Sequence, residues 1–101
     1  MSTVLSDHAL ADLEMISDEY LPRRRRQWKM LQSEFHKRFK VLESNPRMGY
    51  DSGYLMKGLR RIVIRPYIVY YLHTAGPTIV IMRVVHGARD IDSAFFDGST
   101  E

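Results

Sequence analysis

The sequence predicts an α+β fold in the order β-α-α-β-β-β, with a short N-terminal strand and a helical hairpin packed on an antiparallel sheet. Three observations predict it. Apolar residues recur at helical spacing from Ala9 to Leu42. A stretch rich in glycine and proline follows at 44–58. Beyond it lie three runs rich in Ile, Val and Tyr, separated by Pro66 and by Ala75-Gly76-Pro77.

Thr3-Val4-Leu5 reads as a short first strand. Ser6 is a helix N-cap, because its hydroxyl can accept from an amide of the first turn, and Asp7 suits the positive end of the helix dipole. Ala9, Leu13, Ile16 and Tyr20 mark the apolar face of that helix, and Leu21-Pro22 stops it. A second helix is expected from about Arg23 to Glu43, with Trp28, Leu31, Phe35, Phe39 and Leu42 on one stripe. Ser44-Asn45-Pro46 ends it, since a residue before proline disfavours the α region. Residues 44–58 hold three glycines and a proline, which argues against regular structure there. Loops of this length in small domains are often functional. Strands are then expected at Leu59–Arg65, Tyr67–Thr74 and Thr78–His86, joined by short turns into a meander.

At 101 residues the chain is one domain, 1–101, with the polar tail at 91–101 the part open to flexibility. It has no cysteine, which excludes disulfides and thiolate metal sites and fits a reducing compartment. The N-terminal residues do not read as a signal peptide, and no apolar run approaches a membrane span. A cytoplasmic protein without membrane contact is expected. The net charge of +3 is unevenly spread. Residues 1–20 hold five acids and no Lys or Arg, 21–89 hold all fifteen Lys and Arg against three acids, and 90–101 hold four acids. A basic middle between acidic ends suits an anionic partner, nucleic acid or acidic protein, or forms a solvated charged surface.

The strand runs Ile62-Val63-Ile64 and Ile79-Val80-Ile81-Met82 are apolar on both faces. The helical hairpin covers one face. The other is left to a partner or to Phe95 and Phe96 of the tail. Arginines bracket these strands: Arg60, Arg61 and Arg65 on the first, Arg83 and Arg89 with His86 at the end of the last. By strand parity Arg61 and Arg65 share a face, Arg60 lies opposite, and Arg83 falls with Ile79, Ile81 and Val85. An arginine on an apolar face wants an acid, and an internal one such as Asp90 is one solution. The other is a cationic recess for phosphate or carboxylate, which the planar guanidinium recognises bidentately. Cleavage of RNA without metal needs a base, an acid and cations. His86 is the only histidine near the cluster, and it reads equally as a structural residue at a strand end. Arg23–Arg26 spread around a helix start and oppose its dipole, either as a solvated run or as a contact for an anionic partner. Neither metal-ligand spacing nor a phosphate loop or nucleophile elbow is present, so no metal or cofactor is expected.

Four stretches in order carry a family resemblance: Asn45-Pro46-Arg47-Met48-Gly49, Gly58-Leu59-Arg60-Arg61, Tyr67-Ile68-Val69-Tyr70-Tyr71, and Arg83-Val84-Val85-His86-Gly87-Ala88-Arg89-Asp90. With Val4-Leu5-Ser6 and Ala11-Asp12-Leu13-Glu14-Met15-Ile16 before them, they cover nearly the whole chain. The chain resembles the RelE/ParE superfamily of type II toxin–antitoxin toxins, and its closing motif is similar to that of the ParE branch. The resemblance implies a RelE/ParE-like toxin fold, neutralised in a hetero-oligomer by a cognate, ParD-like antitoxin that wraps it with an extended or helical segment. ParE-like members are associated with inhibition of DNA gyrase. RelE-like members are ribosome-dependent ribonucleases with a basic group and a tail tyrosine or histidine. Here Phe95 and Phe96 stand where that tyrosine would, while Arg61 and Arg83 match arginine positions of the ribonucleases.

The resemblance therefore implies a gyrase inhibitor that acts by binding, with no catalytic residue and no direct nucleic-acid contact. Arg60, Arg61, Arg65, Arg83 and Arg89 are the expected partner-binding residues. The alternatives are a ribonuclease built on Arg61, Arg83 and His86, and a non-toxic partner that keeps the fold.

Overall fold

The computed structural model describes residues 2–74, 76 and 78–87. The first strand, β1, is Ser2–Leu5, and helix α1 is Asp7–Tyr20. Ser6 caps α1 as its sequence predicts: its Oγ accepts from the Ala9 amide at 3.0 Å. The same hydroxyl donates to the Met82 carbonyl at 2.9 Å, so the cap also ties the helix to the last strand. Helix α2 is Arg25–Ser44. It starts two residues later than the arginine run suggests, because the Arg24 amide donates to the Tyr20 carbonyl and closes a turn between the helices. Trp28, Leu31, Phe35 and Leu42 form its buried stripe, with Phe39 packed beside them. Tyr20 meets Trp28 at 5.8 Å between ring centroids, which closes the hairpin at its connection.

Four more strands follow: β2 Tyr50–Asp51, β3 Arg60–Ile64, β4 Tyr67–His73 and β5 Thr78–His86. They form one five-stranded sheet in the order β1-β5-β4-β3-β2. The meander β3-β4-β5 is antiparallel, as short turns require. β1 runs parallel to β5, with Val4 opposite Val80, so the whole sheet is mixed. The two helices form the crossover layer that a parallel neighbour demands. The two-residue β2 lies inside the stretch that composition assigns to irregular loop, and pairs Tyr50 with Arg61 and Asp51 with Arg60.

The main core lies between helices and sheet. Ala9, Ile16, Trp28, Leu31, Phe35 and Leu42 meet Ile62, Ile64, Tyr67, Val69, Tyr71, Ile79, Ile81 and Val84. Each such side chain contributes about 1.5–3 kcal/mol on full burial. A smaller cluster covers part of the other sheet face: Leu55 and Leu59 fold over Tyr70 and Val85, flanked by Ile68, Leu72 and Met82. The loop therefore supplies part of the cover that the two-sided strands call for. Phe95 and Phe96 lie outside the described residues.

One irregularity changes the parity of β5. Tyr70 stands opposite Arg83 and Tyr71 opposite Ile81, which leaves Met82 as an extra residue. A bulge of this kind moves the following side chains to the other face. Ile79 and Ile81 join the main core, Val84 also joins it, and Val85 falls in the smaller cluster. Arg83 consequently does not share one uniform face with Ile79, Ile81 and Val85, as unbroken alternation would have it.

Candidate functional site

The loop after α2 is built by side chains that reach it from the sheet. Tyr71, fully buried on β4, donates its hydroxyl to the Pro46 carbonyl at 2.8 Å and accepts from the Gly49 amide at 3.0 Å. Burial raises the pKa of that hydroxyl, while the Gly49 amide offsets part of the rise. Arg60 donates through Nη1 to the carbonyls of Gly49 at 2.8 Å and Arg47 at 3.3 Å. Arg61 donates to Ser52 Oγ at 2.7 Å and to the Asp51 carbonyl at 3.3 Å. Ser52 is fully buried, and its amide donates to the Leu59 carbonyl. Gly49 is required here by space: a Cβ would lie 2.6 Å from Tyr71 Oη and 2.7 Å from the Arg61 carbonyl oxygen.

Beside this loop β3 has an open edge. β2 pairs only with Arg60 and Arg61, so Ile62, Val63 and Ile64 have no strand on that side among the described residues. A groove of about 800 Å³ runs along this edge, lined among others by Arg38, Met48, Tyr50, Arg61, Val63 and Arg65. The Arg61 guanidinium lies 5.6 Å from the Tyr50 ring centroid, within cation–π range. Arg38 keeps an exposed contact with Glu34 at 3.7 Å, which contributes little in water. No carboxylate lies within ion-pair distance of Arg60, Arg61 or Arg65 among the described residues. The groove carries Arg38, Arg61 and Arg65 against Glu34, is partly apolar, and is bordered by a strand edge that no described strand pairs. Its chemistry suits an extended acidic segment that adds a strand.

Arg83 has a different setting. Its Nε donates to Asp12 Oδ2 at 2.8 Å and its Nη2 to Asp12 Oδ1 at 3.0 Å, a bidentate pair across the seam of α1 and β5. Asp12 Oδ2 also accepts the Val84 amide at 2.9 Å, next to the bulge. Asp12 is thus an acid that holds Arg83, and Asp90 lies outside the described residues. A signal for it exists in the sequence. Asp12 stands at helical spacing among Ala9, Leu13 and Ile16, so it is an acid on the buried face of a helix.

His86 is exposed at the end of β5, with its ring edge-on to Tyr67 at 5.5 Å between centroids. It lines a hollow of about 350 Å³ with Arg65, Pro66 and Ile68. Arg61 and Arg83 occupy one cross-strand row through Tyr70, but Arg61 lines the edge groove, Arg83 is clamped to Asp12, and His86 borders two other hollows, the smaller of them together with Asp12. Val63 and Arg65 border both the groove and the hollow beside Pro66. Arg89 lies outside the described residues. Of the arginine run, Arg24 stacks over the Tyr20 ring at 4.6 Å. Tyr67 is held firmly protonated, by burial first and then by its hydrogen bond with Tyr20. No group of three or more His, Cys, Asp or Glu that could hold a metal occurs among the described residues, and no helix there is long and apolar enough to cross a membrane.

Two helices laid on one face of a five-stranded mixed sheet with a basic edge define a small α+β class of protein. A protein-family model described as the ParE toxin of the type II toxin–antitoxin system parDE matches residues 4–91. The chain belongs to the ParE toxin family. Among solved structures it is similar to a chain of the chromosomal ParDE toxin–antitoxin system from P. aeruginosa, with a TM-score of 0.67 and 21% sequence identity. The match covers 85% of this chain and 95% of that one, a likeness of fold. No curated protein matches.

Proposed function

We propose that this chain arrests bacterial growth by binding DNA gyrase, without chemistry of its own, and that a cognate antitoxin neutralises it by occupying the β3 edge groove. The observation that carries this reading is the ParE family match over residues 4–91. The geometry supports it by what the arginines do. Arg83 is engaged by Asp12, and Arg61 and His86 border different hollows, which favours a binding role over one proton-transfer group. The groove supports antitoxin docking. An extended segment can pair with Ile62–Ile64 while its acids meet Arg61 and Arg65, steered by the basic field. Arg60 serves that surface indirectly, by holding the loop that borders it.

The direct test adds purified protein to a gyrase supercoiling assay, with and without the antitoxin encoded beside it. Inhibition by the toxin and its relief by antitoxin are expected. Supercoiling unaffected by excess toxin, together with cleavage of messages on translating ribosomes, would replace this reading with the ribonuclease one.

A further inference from the structure

The loop at 46–57 is fixed from beneath and apolar on top. Beneath it, Tyr71, Arg60 and Arg61 hold the carbonyls or amides of Pro46, Arg47, Gly49 and Asp51, and Leu55 is buried under it. On top, Tyr50 is 68% and Tyr54 70% exposed, Met48 46% and Met56 38%. Ordering a loop costs roughly 1–2 kcal/mol of backbone entropy per residue, so holding one in a single shape needs a return elsewhere. Large apolar groups held rigidly in water mark an interaction surface, and tyrosine and methionine are the residues enriched at such surfaces. Arg47 and Lys57 flank the patch in sequence, and both are exposed. The one acid between them, Asp51, accepts the Gly53 amide at 2.8 Å and so is turned back into its own loop.

We infer that the outer surface of this loop, centred on Tyr54 and Met56 and flanked by Arg47 and Lys57, is where the toxin grips an acidic surface of its target protein. The inference rests on the proposed function for its target, gyrase, but names a surface that the edge groove does not contain. The groove takes in Met48 and Tyr50 and stops short of Tyr54 and Met56. The two surfaces therefore meet at Met48–Tyr50. An antitoxin strand in the groove crowds the near end of the loop, so antitoxin and target compete without sharing their central contacts.

The test is the full chain carrying Tyr54→Ala and Met56→Ala together. Both side chains are exposed, so thermal unfolding should match wild type and establish that the variant folds. Induced alone, it should no longer arrest growth, and its affinity for purified gyrase should fall about tenfold or more, as removal of central interface residues does. Its affinity for the antitoxin encoded beside it should stay within about twofold. A variant that arrests growth and binds gyrase as wild type does overturns the inference. So does equal loss of antitoxin and target binding, because the two surfaces are then one. Loss of arrest that tracks loss of binding to a labelled single-stranded oligonucleotide also overturns it, in favour of bases stacking on the tyrosines. If wild type arrests growth but does not bind gyrase, the gyrase reading fails by itself, and the variant's growth phenotype still decides the loop.

Discussion

The α1–β5 seam and the β3 edge both use arginine, and they use it to opposite ends. In the seam, Arg83 meets the carboxylate of Asp12 in a largely enclosed place, so its hydrogen bonds and its charge are satisfied together. At the edge, Arg60 and Arg61 donate to carbonyls and to a serine hydroxyl. Those acceptors satisfy N–H groups but carry no net charge. The hydrogen bonds are made and the positive field remains. An arginine can thus be fully used as a brace and still attract an anionic partner, and counting its contacts does not reveal which state it is in.

The largest effect should come from breaking the seam. Asp12→Ala removes the buried carboxylate that accepts from the Arg83 guanidinium and the Val84 amide, and should cost about 3–5 kcal/mol, a large part of the stability of a small domain. Urea unfolding measures it, and a loss below about 1 kcal/mol would mean that water replaces the carboxylate. A smaller effect is expected at the edge. Tyr71→Phe removes the donor to Pro46 and the acceptor for the Gly49 amide, and should cost about 1–3 kcal/mol. The same melts should show it, with amide exchange at Gly49 faster than in wild type. The smallest change in stability is expected for Arg65→Glu, within about 0.5 kcal/mol, because Arg65 is exposed. That variant should slow association with the antitoxin and weaken its dependence on salt. Unchanged association across a salt series would move the docking surface away from the groove.

The regular elements are legible in the sequence because each follows from local spacing. Trp28, Leu31, Phe35 and Leu42 announce a helix, Ser6 announces its predecessor, and Ile/Val/Tyr runs cut by Pro66 announce strands. β2 is not legible, because Tyr50 and Asp51 are extended only through clamps from Arg60, Arg61 and Tyr71. The bulge at Met82 is likewise silent in composition, and it spoils any parity argument made beyond it. Asp12, which pairs with Arg83, lies 71 residues away on another element, a distance at which only the misplaced acid on α1 hints at the pair. The arginines that bracket the strands are legible as a cluster. The division of the four described ones into a clamped one, two braces and a solvent-facing one is a property of the folded chain.

The parallel pairing of β1 with β5 sets an order for biosynthesis. Ser2–Leu5 leaves the ribosome before the other elements, yet its hydrogen-bonding partners, Thr78–Ile81, belong to the last of the described strands. The Ser6 amide and hydroxyl wait for the same strand, since they donate to Ile81 and Met82. The helical hairpin can form while the chain is still being made, but the sheet cannot be finished until its fifth strand has emerged. Contacts this far apart in sequence slow folding. A nascent chain is therefore an incomplete sheet until β5 emerges, and for that period β1 is open to whatever extended segment reaches it before Thr78 does.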